Sequence, residues 1–273
     1  MGVRTPSYKA GFYAPERGGR AAYPQLWRGC VGAWNPGLGP SGLVLRDWGG
    51  RKNNGVLTNG PVWSTSTGRQ AISADGVNDD IISDRSSGLS GDVTASMSVW
   101  IYRTGAFEGL AVMTGNSAIT LGGMSIDTNV NGPGTVSAEF FGSNGYRVTS
   151  SVITANAWVH VAVTKTKGPI NTTTALYVNG VERTASSASV NTPSVINAQV
   201  RIGSYQSGGF FAGQIADVRI YDRVVLANEI NLLARRPGIA YELAPRKFYS
   251  LPTPSFSAAW ARRQSIIIGG GLH

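Results

Sequence analysis

Short apolar segments, most of them alternating in character and closed by glycine, asparagine or proline, recur roughly every 8–15 residues from position 26 to 222. Almost no stretch between them has helical periodicity, so a helical or α/β domain is excluded. The spacing predicts an all-β fold, a two-sheet antiparallel β-sandwich. Roughly a dozen strands or more fit a large jelly roll better than an immunoglobulin-type domain. The 36 glycines suit a chain of many tight turns.

The closing segment, residues 210–223, shows the pattern best. Ile215, Asp217, Arg219 and Tyr221 are expected on one side of an extended chain, and Ala216, Val218 and Ile220 on the other. Residues 93–103 place Met97, Val99 and Ile101 on one face and Ser98, Trp100 and Tyr102 on the other. The aromatic face reads as the second buried layer of a sandwich, with a sugar platform as the alternative. The first strand is expected over residues 26–34, ending at Asn35-Pro36-Gly37. Residues 71–82 read as strand, Asp-Gly hairpin, strand, and residues 175–183 as a two-residue Asn179-Gly180 hairpin. Residues 227–234 supply one or two helical turns before Pro237.

Candidate chemistry is sparse. Asp75, Asp79 and Asp80 are turn residues with no spaced acidic partner. His160 lies within a strand, and the other histidine is the last residue, so a satisfied strand histidine is expected rather than a triad or metal site. Cys30, the one cysteine, excludes an internal disulfide and reads as a small buried hydrophobe. The loop from Asp47 to Gly55 crowds oxygen atoms together; either Asp47 and Asn53 cap turns, or Asp47 with backbone carbonyls holds a hard cation.

The net charge of +9 is uneven. Residues 1–29 hold five basic groups against Glu16, and residues 235–273 hold six against Glu242, while residues 30–234 hold 13 of each sign. The excess therefore concerns what the ends touch, and the neutral middle argues against a nucleic-acid binder. No run of about 18 apolar residues exists to span a membrane, and the N-terminus lacks the apolar core of a secretory signal. Residues 1–29 and 235–273 are expected to be basic, aromatic arms, with Ser265-Ile266-Ile267-Ile268 able to add to a partner's sheet edge.

Seven blocks now stand in order: Asp47-x-Gly-Gly-x-x-Asn-Asn-Gly55, Ala74-Asp-Gly-Val-Asn-Asp79, Ser96-Met-Ser-Val-Trp-Ile101, Trp158-Val-His-Val-Ala-Val163, Leu176-Tyr-Val-Asn-Gly180, Arg201-Ile-Gly203 and Phe211-Ala-Gly-Gln-Ile-Ala-Asp-Val-Arg-Ile-Tyr221. Together they resemble the laminin-G-like branch of the concanavalin A-like lectin/glucanase superfamily over residues 30–234. The resemblance implies a jelly roll of two curved sheets and a calcium ion near Asp47, beside the strand carrying Asp217. Ala216 stands where the first acid of the family's usual pair would be. Glycan hydrolases of the superfamily carry a Glu-x-Asp-x-x-Glu type strand, which has no counterpart here, so a non-enzyme is expected. Trp48, Trp63, Tyr146 and Tyr205 are the candidate glycan contacts on exposed loops.

Residues 235–273 are similar to the C-terminal extensions of laminin-G-like proteins of tailed bacteriophages. That likeness implies a virion structural protein, a head decoration or fibre-like component. Its lectin-like domain would face outward, and its arms would anchor it to other virion proteins and to further copies of itself. The alternative is a secreted or cell-surface carbohydrate-binding module.

Overall fold

A computed structural model describes residues 21–105, 109–115, 122–130, 132–140, 144–148, 150–205 and 208–244. The arm segments 1–20 and 245–273, including residues 265–268, lie outside the described residues. In chain order the strands begin with β1 (Cys30–Trp34), β2 (Val44–Leu45), β3 (Gly55–Thr58), β4 (Val62–Ser64), β5 (Ala71–Asp75) and β6 (Asp80–Ser86). Next come β7 (Ala95–Arg103), β8 (Gly109–Gly115), β9 (Gly123–Thr128), β10 (Val136–Phe140), β11 (Asn144–Val148) and β12 (Trp158–Lys165). The one-turn helix α1 (Ile170–Thr173) precedes β13 (Thr174–Val178), β14 (Val181–Arg183), β15 (Ser187–Ala188), β16 (Gln199–Ile202) and β17 (Ala212–Tyr221); α2 (Ala227–Leu233) follows.

Two antiparallel sheets result, as expected. One runs β14-β13-β12-β7-β17-β5-β4, with β1 also on β17; the other runs β15-β11-β10-β9-β8-β16-β6-β3-β2. Met97, Val99, Ile101, Val161, Val163, Ile215, Val218 and Ile220 of the first sheet meet Ile126, Phe140, Val200 and Ile202 of the second in one buried core. Each such side chain contributes about 1.5–3 kcal/mol on burial. The first sheet is also buried behind. Trp27, Tyr177, Tyr221, Ile230, Leu233, Ile239 and Tyr241 form a second cluster, and the Trp100 indole donates to Leu233 O at 3.0 Å. The aromatic face of β7 is therefore packing, under α2.

Four expectations need correction. First, the parity of β17 changes at Asp217, which sits at φ 43° in a bulge between Ala216 and Arg219. Ile215 therefore shares the inner face with Val218 and Ile220, while Ala216 and Tyr221 face outward. The bulge falls where the partner of one edge changes: β5 pairs residues 212–215 and β1 pairs residues 218–221. Second, residues 71–82 are no hairpin. β5 pairs with β4 and β17, whereas β6 pairs with β3 and β16 in the opposite sheet. The Asp-Gly turn is an arch between the layers, held by Asp79 Oδ2 accepting from Asp75 N at 2.8 Å and Asp75 Oδ1 accepting from Val77 N at 2.8 Å. The Asn179-Gly180 hairpin does form, both residues having positive φ.

Third, the inner flanks belong to the domain. Residues 24–27 form a 3-10 turn rather than the start of β1, with Leu26 and Trp27 buried, and the turn at Ile239–Tyr241 packs near it. Arg223 fixes this seam: its guanidinium donates to Arg28 O at 2.7 Å, to Gln25 O at 2.9 Å and bidentately to Glu229 at 2.7 and 2.8 Å. Fourth, His160 is fully buried against Trp100 with neither ring nitrogen hydrogen-bonded, so it is a strand histidine but not a satisfied one. Burial pushes its pKa down to about 3 and keeps it neutral.

Candidate binding cleft and the Asp47 loop

The Asp47 loop is organised by its own carboxylate. Oδ1 accepts from Ala33 N at 2.8 Å and Gly49 N at 2.7 Å, and Oδ2 accepts from Asn53 N at 2.8 Å. Asn54 Oδ1 accepts from Asp47 N, and the Trp34 indole donates to Asn53 O at 2.9 Å. Asn53 in turn pairs its amide with the backbone of Arg85 in both directions. Burial pushes the Asp47 pKa up from its ordinary value, while the three N–H donors pull it down.

This frame holds one wall of a cleft of about 500 Å³ bordered by Ser41, Val44, Arg46, Asp47, Trp48, Lys52 and Asn54. Trp48 is half-buried, one part of its ring packed on the outer cluster, while Arg46 and Lys52 are exposed. An aromatic face, an amide, a hydroxyl and two cations converge there, the combination by which a polar ring ligand is stacked and hydrogen-bonded.

Asp217 accepts from Gly238 N at 2.8 Å and from Arg219 Nε at 3.0 Å. The Arg219 guanidinium is fully buried between the rings of Trp27 and Tyr241, each 4.7 Å away. Burial opposes its charge, but Asp217 and the nearby Tyr241, Tyr221 and Cys30 side chains hold its pKa well above the ordinary value. The residues present do not fit a calcium ion. The oxygens of Asp47 and Asp217 face N–H donors and a guanidinium, and among the described residues no three acidic, histidine or cysteine side chains converge on one point. The Cys30 thiol donates to Gly32 O at 3.3 Å, and burial pushes its pKa up to about 12.

The other aromatic candidates are dispersed. Trp63, on edge strand β4, donates to Gly42 O at 2.7 Å and holds the 41–43 turn. Tyr146 is not on a loop: it is buried in β11, with its hydroxyl donating to Arg183 O and accepting from Ala185 N, both at 3.2 Å. Half-buried Tyr205 donates to Asp127 Oδ1 at 2.7 Å. Asp127 also reveals what sequence spacing hid. Pairing of β9 with β10 sets Asp127 opposite Ser137 and Ser125 opposite Glu139, so Asp127 and Glu139 are diagonal neighbours on one face. Ser125 Oγ donates to Asp127 at 2.5 Å, and Arg147 holds Glu139 through two bonds of 2.7 and 3.1 Å. Both carboxylates are thus engaged by protein donors.

Two antiparallel sheets sharing one buried core define a jelly-roll type β-sandwich. The chain belongs to the concanavalin A-like lectin/glucanases superfamily, whose Laminin_G_3 profile matches residues 75–231. No curated protein sequence matches it. Among solved structures it is similar to domain 4 of AbnA, a GH43 extracellular arabinanase from Geobacillus stearothermophilus, in complex with arabinotriose. That match has 18% identity and a TM-score of 0.56, covering 75% of this chain and 98% of that one. Trypanosoma rangeli sialidase in complex with sialic acid is similar at 14% identity and TM-score 0.55, covering 84% of this chain and 35% of the sialidase. The receptor binding domain of botulinum neurotoxin D is similar at 14% and 0.56, covering 77% and 53%. These likenesses establish the fold, which is compatible with catalysis or with binding alone. Among the described residues no helix is long and apolar enough to cross a membrane.

Proposed function

We propose that this chain is a non-enzymatic carbohydrate-binding domain whose ligand stacks on Trp48, in the cleft bordered by Ser41, Arg46, Lys52 and Asn54. The observation that carries the reading is that half-buried tryptophan, held by the Asp47 frame beside an amide and two exposed cations. The arabinotriose complex of the similar arabinanase domain supports glycans as the ligand class. Asp127 and Glu139 serve as structural ion-pair and hydrogen-bond partners, since each is already engaged.

Screening the full chain on a glycan array, followed by calorimetry on the best ligand, tests the proposal. Lys52→Ala and Trp48→Ala are expected to weaken binding by about tenfold or more, stacking on an aromatic ring being worth about 1–3 kcal/mol. Unchanged affinity in both variants would sink it.

The uneven charge favours a second layer to this reading. The terminal segments 1–20 and 245–273 anchor the domain to a larger assembly, a virion surface foremost, with the cleft displayed outward. The alternative setting is a secreted or cell-surface module. Deleting both segments should abolish association with the assembly while leaving glycan affinity unchanged.

A further inference from the structure

The two sheets end in β14 and β4 on one side and in β15 and β2 on the other. β14 carries Glu182 and Arg183, charges that keep a foreign strand off, and β2 borders the Trp48 cleft. β4 is different. Residues 61–67 hold no charged side chain, Val62 is 57% exposed, and among the described residues only β5 pairs with this strand. An uncharged, unpaired edge is a template for a further strand. It is also held in place: Gln214 of β17 donates to Ser66 Oγ and accepts from Thr67 Oγ1, both at 2.6 Å, just past the end of β4. The apolar surface continues across the mouth of the sandwich. Trp63 packs on the inner core and its indole reaches Gly42 O on the flank of the other sheet. Next to it Leu43 stands opposite the buried Leu57, whose N–H donates to Leu43 O at 2.8 Å, yet Leu43 is 70% exposed. A strand laid along β4 therefore meets Trp63 and Leu43 on its inner side and Val62 on its outer side.

Such a strand has to be apolar on both faces, and this chain contains one outside the described residues. Ile266-Ile267-Ile268 are three strand-forming side chains in a row, with no charge from Gln264 to Leu272 and Gly269-Gly270-Gly271 behind them. The tether from Ala244 to Ser265 extends about 70 Å, against a radius of gyration of about 17 Å for a body of this length, so it reaches a neighbouring molecule. We infer that residues 265–268 of one copy pair along β4 of a second copy, Ile267 turned inward onto Trp63 and Leu43, Ile266 and Ile268 flanking Val62 outside. The exchange is reciprocal: each copy gives a strand and receives one, which closes a two-fold dimer and makes the second contact intramolecular. The inference rests on the anchoring role proposed for residues 245–273, for which it names one acceptor, and it leaves the Trp48 cleft uncovered.

Sedimentation equilibrium of the full chain is the first test. The expected mass is that of two chains, and Val62→Lys and Ile267→Lys are each expected to give the mass of one. Val62 is exposed, so Val62→Lys should leave the melting temperature in place. Disulfide trapping then identifies the contact without a charge at the edge. Val62→Cys mixed with Ile266→Cys or Ile268→Cys under oxidised glutathione should give a covalent pair holding one chain of each, the isoleucine position that traps reporting the strand direction. Leu226→Cys, 59% exposed on another part of the surface, should trap neither. A wild-type chain of single mass would overturn the inference. So would Val62→Cys pairing with itself as readily as with the isoleucine variants, which would mean edge against edge. A monomeric wild type that still loses its larger assembly on deletion of 245–273 would refute this acceptor and leave the anchoring role intact.

Discussion

Replacing Asp47 with alanine separates a loop frame from a metal ligand. The wild-type carboxylate is 2% exposed and satisfies the N–H groups of Ala33, Gly49 and Asn53. A buried donor stripped of its partner costs about 1–3 kcal/mol. Water can enter from the adjoining cleft, so the low end applies to each of the three, and the total is about 3–4 kcal/mol. For a domain of this size that is a fall of about 10 °C in melting temperature. Thermal unfolding followed by circular dichroism, with and without EDTA, measures it. Asp47→Ala should melt about 10 °C lower, and EDTA should move neither protein. Its pH dependence is also defined. Burial raises the folded pKa above the ordinary 3.8, so the folded state binds this proton more tightly than the unfolded one. The group's own stabilisation is full below 3.8 and fades as pH rises through the folded pKa; the variant lacks this dependence. A drop under about 2 °C, or an EDTA-induced drop in wild type that Asp47→Ala abolishes, would refute the reasoning.

Three further outcomes follow from buried groups. His160→Leu should gain about 1 kcal/mol at pH 7, because two nitrogens without partners disappear. Because the folded pKa is depressed to about 3, wild type should lose about 1.4 kcal/mol per pH unit as pH falls below 6.5, and the variant should not; parallel urea midpoints across pH 7 to 5 would contradict this. Arg219→Met leaves Asp217 buried with one remaining donor and should cost about 3–5 kcal/mol, part of which Asp217→Asn in the same chain restores. An Arg219→Met variant within about 1 kcal/mol of wild type in urea would be decisive against the pair. Cys30, its thiol pushed to about 12, should resist iodoacetamide at pH 8 in the native state and react after unfolding, as mass spectrometry would register.

Local chemistry was legible in the sequence, and long-range register was not. The alternation of β7 and the Asn179-Gly180 turn are set by neighbours in the chain, and both formed as read. The bulge at Asp217 depends on two different strands docking end to end on β17, which no window around residue 217 contains. An Asp-Gly turn suits a hairpin and an arch equally, so which sheet receives β6 is decided by β3 and β16. The same applies to chemistry. Asp127 and Glu139 lie twelve positions apart yet share a face through pairing, and Arg69 meets Trp100 and Trp158 only once the sheet exists. Trp48 was nameable from its loop; the cleft beside it required the fold.

One small pairing sets how the body meets whatever lies beyond it. Ala21 and Leu243 form an antiparallel bridge, with Ala22 N donating to Glu242 O at 2.8 Å. Entry and exit therefore stand about 5 Å apart, the spacing of paired Cα atoms. A host chain interrupted by this body would feel almost no gap, which is the geometry of a cassette that can be spliced into a surface loop. Tension applied through both ends would unzip that bridge and then the Trp27–Tyr241 seam before any load reached β17, making the seam a mechanical fuse for the sandwich behind it.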